Sequence, residues 1–271
     1  MSWQLEQYGG AALWDQGRGE GVRVAVLDAA TTVSTPLPAP RFQAFDDRGR
    51  PNDEQVSDHG YCCAALIGAE HDDASGVAPR CEVVSINIEN SSGPNVSMVA
   101  RGIRLALEKG CDLINCSFVL PTAPPTLLEA LRDAHLAGVP VIAAAGNVDE
   151  LFRFPHQVKD VVVVGGVDRG QEPMTGTVSK WVDVFTWGDG LSVASPGNTP
   201  TTWQGESSGA TALVAGLVAL AFGTLSVSER RRCGQDVEHH LTATAVRSSS
   251  SGRALLLVNA LRFISAIRNS K

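Results

Sequence analysis

Four polar residues stand at the ends of apolar runs, where a fold could bring them together. Asp28 closes the run Val24-Ala-Val-Leu27, and His59 sits between Asp58 and Gly60 ahead of Tyr61-Cys-Cys-Ala-Ala-Leu-Ile-Gly68. Asn147 follows Val141-Ile-Ala-Ala-Ala-Gly146, and Ser208 lies in Gly205-Glu-Ser-Ser-Gly-Ala210 before a long apolar stretch. Singly, each type has an ordinary structural use: an Asp after a strand caps a turn, and a Ser before a helix caps its first turn. Together they supply a nucleophile, a base to take its proton, an acid to orient the base and an amide to meet an oxyanion. Those are the groups that peptide-bond hydrolysis requires.

The elements that must position them follow from the apolar pattern. Val22–Leu27, Glu82–Ile88, Leu113–Ser117, Val139–Ala145 and Val161–Val164 are short and rich in β-branched residues, and Gly, Asp or Pro bound them, so they read as buried strands. Val96–Lys109 and Leu127–Ala137 carry apolar residues at helical spacing and stop at Gly110 and Gly138. Strand–helix alternation with near-continuous apolar strands predicts an α/β fold, a mainly parallel sheet covered by helices on both faces. In such a sheet chemistry collects at the carboxyl ends of the strands. Near the C-terminus, 229–245 and 255–268 read as helices and Ser248–Ser251 as an exposed loop between them. No composition shift or linker divides the chain, so 1–271 is expected to be one domain.

Composition narrows the function classes. Lys and Arg number 22 against 29 Asp and Glu, a net charge of −7, which argues against a nucleic-acid partner because phosphate binding needs clustered surplus cations. The uncharged stretch Ser207–Ser228 is strongly apolar only from about Ala210 to Phe222, which suits a buried helix and not a membrane span. The N-terminus carries no basic region followed by an apolar one, so no secretory signal is expected. Cys62, Cys63, Cys81, Cys111, Cys116 and Cys233 lack metal-ligand spacing and read as buried free thiols of a reducing compartment. A cytoplasmic location is the expectation.

The order Asp, His, Asn, Ser and the sequences around them resemble the subtilisin-like serine proteases, over nearly the whole chain. Ala12-Leu-Trp-Asp-Gln-Gly17 resembles the family's lead-in to the first strand. Gly76-Val-Ala-Pro79 and Ile114-Asn-Cys-Ser-Phe118 resemble two internal segments, Ala144-Ala-Gly-Asn147 the oxyanion motif, and Val214-Ala-Gly216 the end of the serine motif. Ala254-Leu-Leu-Leu-Val-Asn-Ala260 resembles the closing segment, and the separations of 31, 88 and 61 residues between the four site residues are similar to the family's. Counting back from Val214 selects Ser208 over Ser207 as nucleophile, with Ser207 where the family usually has Thr. The resemblance implies a three-layer α/β/α subtilisin-like fold and an endopeptidase in which Asp28 orients His59, His59 deprotonates Ser208, and Asn147 with the Ser208 N–H holds the oxyanion. It further implies that Ser117, Phe118 and Val119, and Ala144, Ala145 and Gly146, bind an extended protein or peptide as added strands.

Several positions depart from the family's pattern. Ala29-Ala30 follows Asp28 in place of a hydroxyl residue and Gly, Val119-Leu120 replaces a Gly pair, Glu206 stands where Gly is usual, and Ala212 replaces a Pro. The segment after Asn147 is short, and its Asp149 and Glu150 read as solvated acids. These changes predict a narrowed groove and restricted specificity, such as precursor-peptide maturation by cleavage or transpeptidation, or regulatory cleavage, with an inhibitor or precursor peptide as a partner. An alternative is a protease-like scaffold that binds peptide segments without cutting them. No cofactor is expected: Glu70, Asp72 and Asp73 offer oxygens to calcium, but the family's ligand-bearing stretch is not recognisable there. A metal-dependent hydrolase on His71, Asp72 and Asp73 lacks ligand spacing. The chain starts just before the first catalytic strand, so the expectation is either a mature fragment or a cytoplasmic enzyme restrained by other means than a propeptide.

Overall fold

The computed structural model describes residues 1–31, 37, 41–52, 58–148, 150, 152–174, 181–195, 199–250 and 253–270. In chain order the elements are α1 (Trp3–Gln7), α2 (Ala11–Trp14), β1 (Arg23–Asp28), β2 (Phe42–Asp46), α3 (Asp58–Gly68), β3 (Glu82–Asn87), β4 (Glu89–Asn90), β5 (Gly93–Pro94) and α4 (Val96–Glu108). They continue as β6 (Leu113–Cys116), α5 (Pro125–Leu136), β7 (Val141–Ala144), β8 (Val161–Val167), β9 (Val184–Trp187), β10 (Leu191–Ala194), β11 (Pro200–Trp203) and α6 (Glu206–Phe222). The last are α7 (Val227–Gly234), α8 (Val237–Thr244), β12 (Val246–Ser250), β13 (Arg253–Leu257) and α9 (Ala260–Asn269).

One sheet organises them, with the strand order β12-β13-β9-β8-β7-β6-β1-β3-β2. Every neighbouring pair in it runs parallel except β12 with β13. Strands β6, β7 and β8 are buried along their whole length, as the Val- and Ile-rich runs require of strands covered on both faces. Helices α4 and α5 pack together on one face, while α3 and α6 meet on the other, where α8 and α9 also lie. This is the three-layer α/β/α arrangement, and the five predicted strands and the helices predicted over Val96–Lys109 and Leu127–Ala137 fall where the apolar pattern puts them, whereas the helix expected over 229–245 is two, α7 and α8.

Helix α6 is the centre of its layer. Every residue from Ser207 to Phe222 is buried, with no polar face, so the helix is enclosed by protein on all sides. Among the described residues no helix is long and apolar enough to cross a membrane. The six cysteines are free and buried.

The C-terminal reading needs correction. Residues 253–257 form β13 and not the start of a helix, and β12 pairs with it antiparallel, Val246 opposite Leu257 and Ser248 opposite Leu255. Ser248 to Ser250 are therefore an edge strand where a loop was expected, and Ser251 lies outside the described residues. A five-residue apolar run has no period of its own that separates strand from helix, and the pairing decides it. Helix α9 begins only at Ala260, after Asn259 caps it by accepting from the Arg262 N–H.

Candidate active site

The four polar residues lie at the carboxyl edge of the sheet, Asp28 bonded to His59, and Asn147 bonded to the helix turn that bears Ser208. Asp28 is the last residue of β1 and is 3% exposed. His59 is the second residue of α3, and its Nδ1 lies 2.9 Å from each carboxylate oxygen of Asp28. The Ala29 N–H also donates to Asp28 Oδ1, at 2.8 Å, so a backbone group meets the carboxylate although no hydroxyl residue follows it. The close approach of α3 to β1 depends on Gly60: a Cβ there would lie 2.7 Å from Thr31 Oγ1 and 3.0 Å from Asp28 Cβ. Trp203 packs its indole edge-on to the imidazole, with centroids 5.6 Å apart.

Electrostatics fit His59 for proton transfer. Burial disfavours its charged form, but the hydrogen bond and charge of Asp28, with a smaller contribution from Glu89, outweigh this and raise its pKa above the ordinary value of 6.5. Cys63 lies in the same cluster, where one candidate ligand atom each from Asp28, His59 and Cys63 fall within 4.8 Å of one another. Burial and the Asp28 charge hold the Cys63 thiol well above its usual pKa, and burial with Asp58 and Asp28 pushes Cys62 up to about 12. Both are protonated packing groups at neutral pH.

Ser208 is the third residue of α6, at the helix end where the dipole and backbone N–H groups favour negative charge. Its Oγ donates to the Ser117 carbonyl at 3.1 Å, and Ser117 Oγ donates back to the Ser208 carbonyl at 3.2 Å while accepting from Asn115 Nδ2 at 3.0 Å. The strand end after β6 and the first turn of α6 are thereby locked together. Asn147 lies past the end of β7, and its Oδ1 accepts from both the N–H and the hydroxyl of Ser207, at 3.1 and 2.6 Å. With Oδ1 so occupied, the Nδ2 hydrogens remain the donors on the other arm of the amide. Glu206 starts the helix at φ +47°, a left-handed conformation, which accounts for Gly being usual at that position.

The two expected substrate-binding segments extend neighbouring strands, since Cys116 pairs with Ala143 in the β6–β7 ladder. Ser117 and Ala144 to Gly146 are buried, while Phe118 and Val119 are partly exposed. Side chains close on Gly146: a Cβ placed there, where φ is +87°, would lie 3.0 Å from Val119 Cγ1 and 3.6 Å from Phe152 Cε2. Beyond it Leu120 and Phe154 exchange two backbone hydrogen bonds of 3.0 and 3.1 Å, and Phe118 stacks on Phe154 at 5.7 Å.

The residues missed from sequence are Ser207 as the partner of Asn147, Phe152 as a wall of the cleft, and Glu89 beside the Asp–His pair. Only Ser207 had a signal, a hydroxyl where the family carries Thr. Of the two acids after Asn147, Glu150 is exposed and Asp149 lies outside the described residues. His71 uses Nδ1 to accept the N–H groups of Asp73 and Ala74, at 3.0 and 3.1 Å, as the acceptor of a turn. Among the described residues the acids of that loop form no three-ligand group.

A sequence model of the subtilase family matches residues 19–258. The chain is 31% identical to an intracellular serine protease of Paenibacillus polymyxa, over 80% of its own length and 71% of the relative's. It is 29% identical to subtilisin DY of Bacillus licheniformis, over 90% and 91% of the two chains. Among solved structures, the prenylagaramide maturation protease PagA superposes with a TM-score of 0.79 at 25% identity, covering 95% of this chain and 97% of that one. MycP1 with its N-terminal propeptide removed gives 0.81 at 20% identity, over 97% and 96%, a likeness of fold.

Proposed function

The chain belongs to the subtilase family of serine proteases, and on that footing we propose that Asp28, His59, Ser208 and Asn147 carry out its peptide-bond hydrolysis within one peptidase domain, residues 1–271. The observation that carries the proposal is the Asp28–His59 hydrogen bond at the same sheet edge where Ser208, on the first turn of α6, is bonded to the strand end after β6. Substrate binding turns the Ser208 hydroxyl from the Ser117 carbonyl to His59 Nε2. His59 takes the proton as Ser208 Oγ bonds to the scissile carbonyl carbon, while Asp28 holds Nδ1–H and so fixes the tautomer. The Ser208 N–H and Asn147 Nδ2 donate to the oxyanion. His59 then gives its proton to the leaving amine, and water repeats the sequence to release the acyl group. No cofactor enters these steps.

The test is labelling with a fluorophosphonate, comparing wild type with Ser208→Ala and Ser207→Ala. Labelling lost in Ser208→Ala and kept in Ser207→Ala supports the assignment. One observation favours the alternative of a non-cutting peptide binder: the Ser208 hydroxyl is given to Ser117. Folded wild type that takes no label and cleaves no peptide would decide for that alternative.

Because His59 must be neutral to accept a proton and its pKa is raised, kcat/KM increases with pH through an inflection above 6.5. A pH–rate profile with its inflection below 6.5 contradicts the proposed electrostatics.

The substrate is an extended protein or peptide paired with Ser117–Val119 and Ala144–Gly146, and specificity is restricted at the acyl residue. Val119 and Phe152 close on Gly146 in the cleft, which favours a small side chain there. Val119→Gly is expected to raise kcat/KM for Phe relative to Ala at that residue by about tenfold or more, the scale of a few methylene contacts. Paired fluorogenic peptides measure the ratio, and an unchanged ratio removes Val119 as its cause. Such selectivity suits maturation of a precursor peptide or cleavage of a regulatory protein, by hydrolysis or transpeptidation, and an inhibitor or the precursor itself is the natural restraint. The likeness to a maturation protease supports the first. Six free buried thiols and the likeness to an intracellular relative support a cytoplasmic location.

A further inference from the structure

Beside the Asp–His pair stands an acid to which the hydrolytic steps assign nothing. Glu89 opens β4, two residues beyond Asn87, which pairs in register with Asp28. The Ile88 N–H donates to the Asp28 carbonyl at 3.0 Å and the Asn95 N–H to the Ile88 carbonyl at 2.9 Å, so the chain bearing Glu89 is pinned against the end of β1. Paired strand residues project to the same face and the side-chain period is two, so Glu89 continues the side of the sheet from which Asp28 reaches His59.

The environment of this carboxylate is unusual. It is partly buried, and its neighbours in the electrostatic sense are Asp28 and His59. Burial first, then the negative charge of Asp28, raises its pKa, and His59 offsets this in part. Among the described residues neither Arg nor Lys pairs with it and no side-chain hydrogen bond satisfies it, although nine other acidic side chains are held in ion pairs. A second carboxylate held close to a first, partly shielded from water and given no cation, costs stability unless something else supplies the charge.

An extended substrate brings a side chain to this place. With its scissile carbonyl between Ser208 and Asn147, the acyl residue points its side chain into the cleft between the ends of β6 and β7. Alternation turns the preceding residue the opposite way, across β1 toward His59 and the end of β3. We infer that Glu89 selects Lys or Arg at the substrate residue immediately before the acyl residue, its carboxylate pairing with the ammonium or guanidinium. The inference rests on the protease reading and narrows its substrate class to a basic residue followed by a small one.

The experiment uses fluorogenic peptides with Ala at the acyl position and Arg, Gln or Glu before it, cleaved by wild type, Glu89→Gln and Glu89→Arg. Wild type is expected to favour Arg over Gln by about tenfold in kcat/KM, as one partly desolvated ion pair allows, and the preference shrinks as salt rises. Glu89→Gln brings the Arg/Gln ratio close to one, and Glu89→Arg reverses the order to favour Glu, a swap that loss of packing alone cannot produce. Cleavage of the Arg and Gln peptides at equal rates by wild type, or an Arg preference that survives in Glu89→Gln, overturns the assignment of Glu89 and leaves the protease reading intact. If no peptide is cleaved and Ser208 takes no fluorophosphonate, the protease reading itself falls and this inference with it.

Discussion

Ser208→Ala lowers kcat for peptide hydrolysis by about 10⁶-fold, the size that loss of the triad serine has in a subtilase. The neighbouring hydroxyl cannot replace it. Ser207 Oγ is 2.6 Å from Asn147 Oδ1 and donates to it, and its place one residue earlier on α6 turns it toward Asn147 and away from the Ser117 carbonyl that holds Ser208. Residual activity of Ser208→Ala then reflects binding and oxyanion donors alone. Adding His59→Ala to Ser208→Ala causes little further loss, because the two act as one unit in a single proton transfer. Single-turnover kinetics on both variants measures this, and a Ser208→Ala enzyme within about a hundredfold of wild type would remove Ser208 from the mechanism.

Asn147→Ala is the second large effect, a fall in kcat of about 10²–10³-fold with KM nearly unchanged, because the amide meets charge that exists only in the transition state. Ser207→Ala is expected to cost less, on the order of tenfold, since it frees Asn147 Oδ1 from its hydroxyl donor and keeps the backbone one. The double variant should lose little beyond Asn147→Ala. Residues acting through one amide are not additive, and kcat from the four enzymes closes the cycle. Equal and independent losses would mean that Ser207 does not act through Asn147.

The legibility of the fold varied with the physics of each segment. Strands such as Val161–Val167 are buried on both faces, so their apolar runs are unbroken and visible without context. Residues 254–257 carry a similar run, but it belongs to a strand near the sheet edge and closes on the polar β12, and that pairing lies in tertiary contact. The four candidate residues could be singled out because each stands at or next to the end of an element, and the carboxyl edge of a parallel sheet gathers such ends. Glu89 also follows a strand, yet an acid in a turn is the commonest of surface features, and its neighbours in space come from β1 and α3. Val119 was visible as a bulky replacement in the groove. That Phe152 closes on the same glycine depends on how the segment after Asn147 folds back, which spacing does not encode.

Helix α6 has one more consequence. A helix enclosed on every side has no surface along which to slide or fray, so the position of Ser208 inherits the low compressibility of the interior. The amides of its inner turns belong to the slowest-exchanging class, opening only when the whole core opens. For this protein, loss of activity on heating and loss of the native state are then one event, and its working lifetime is set by the rate at which the core unfolds.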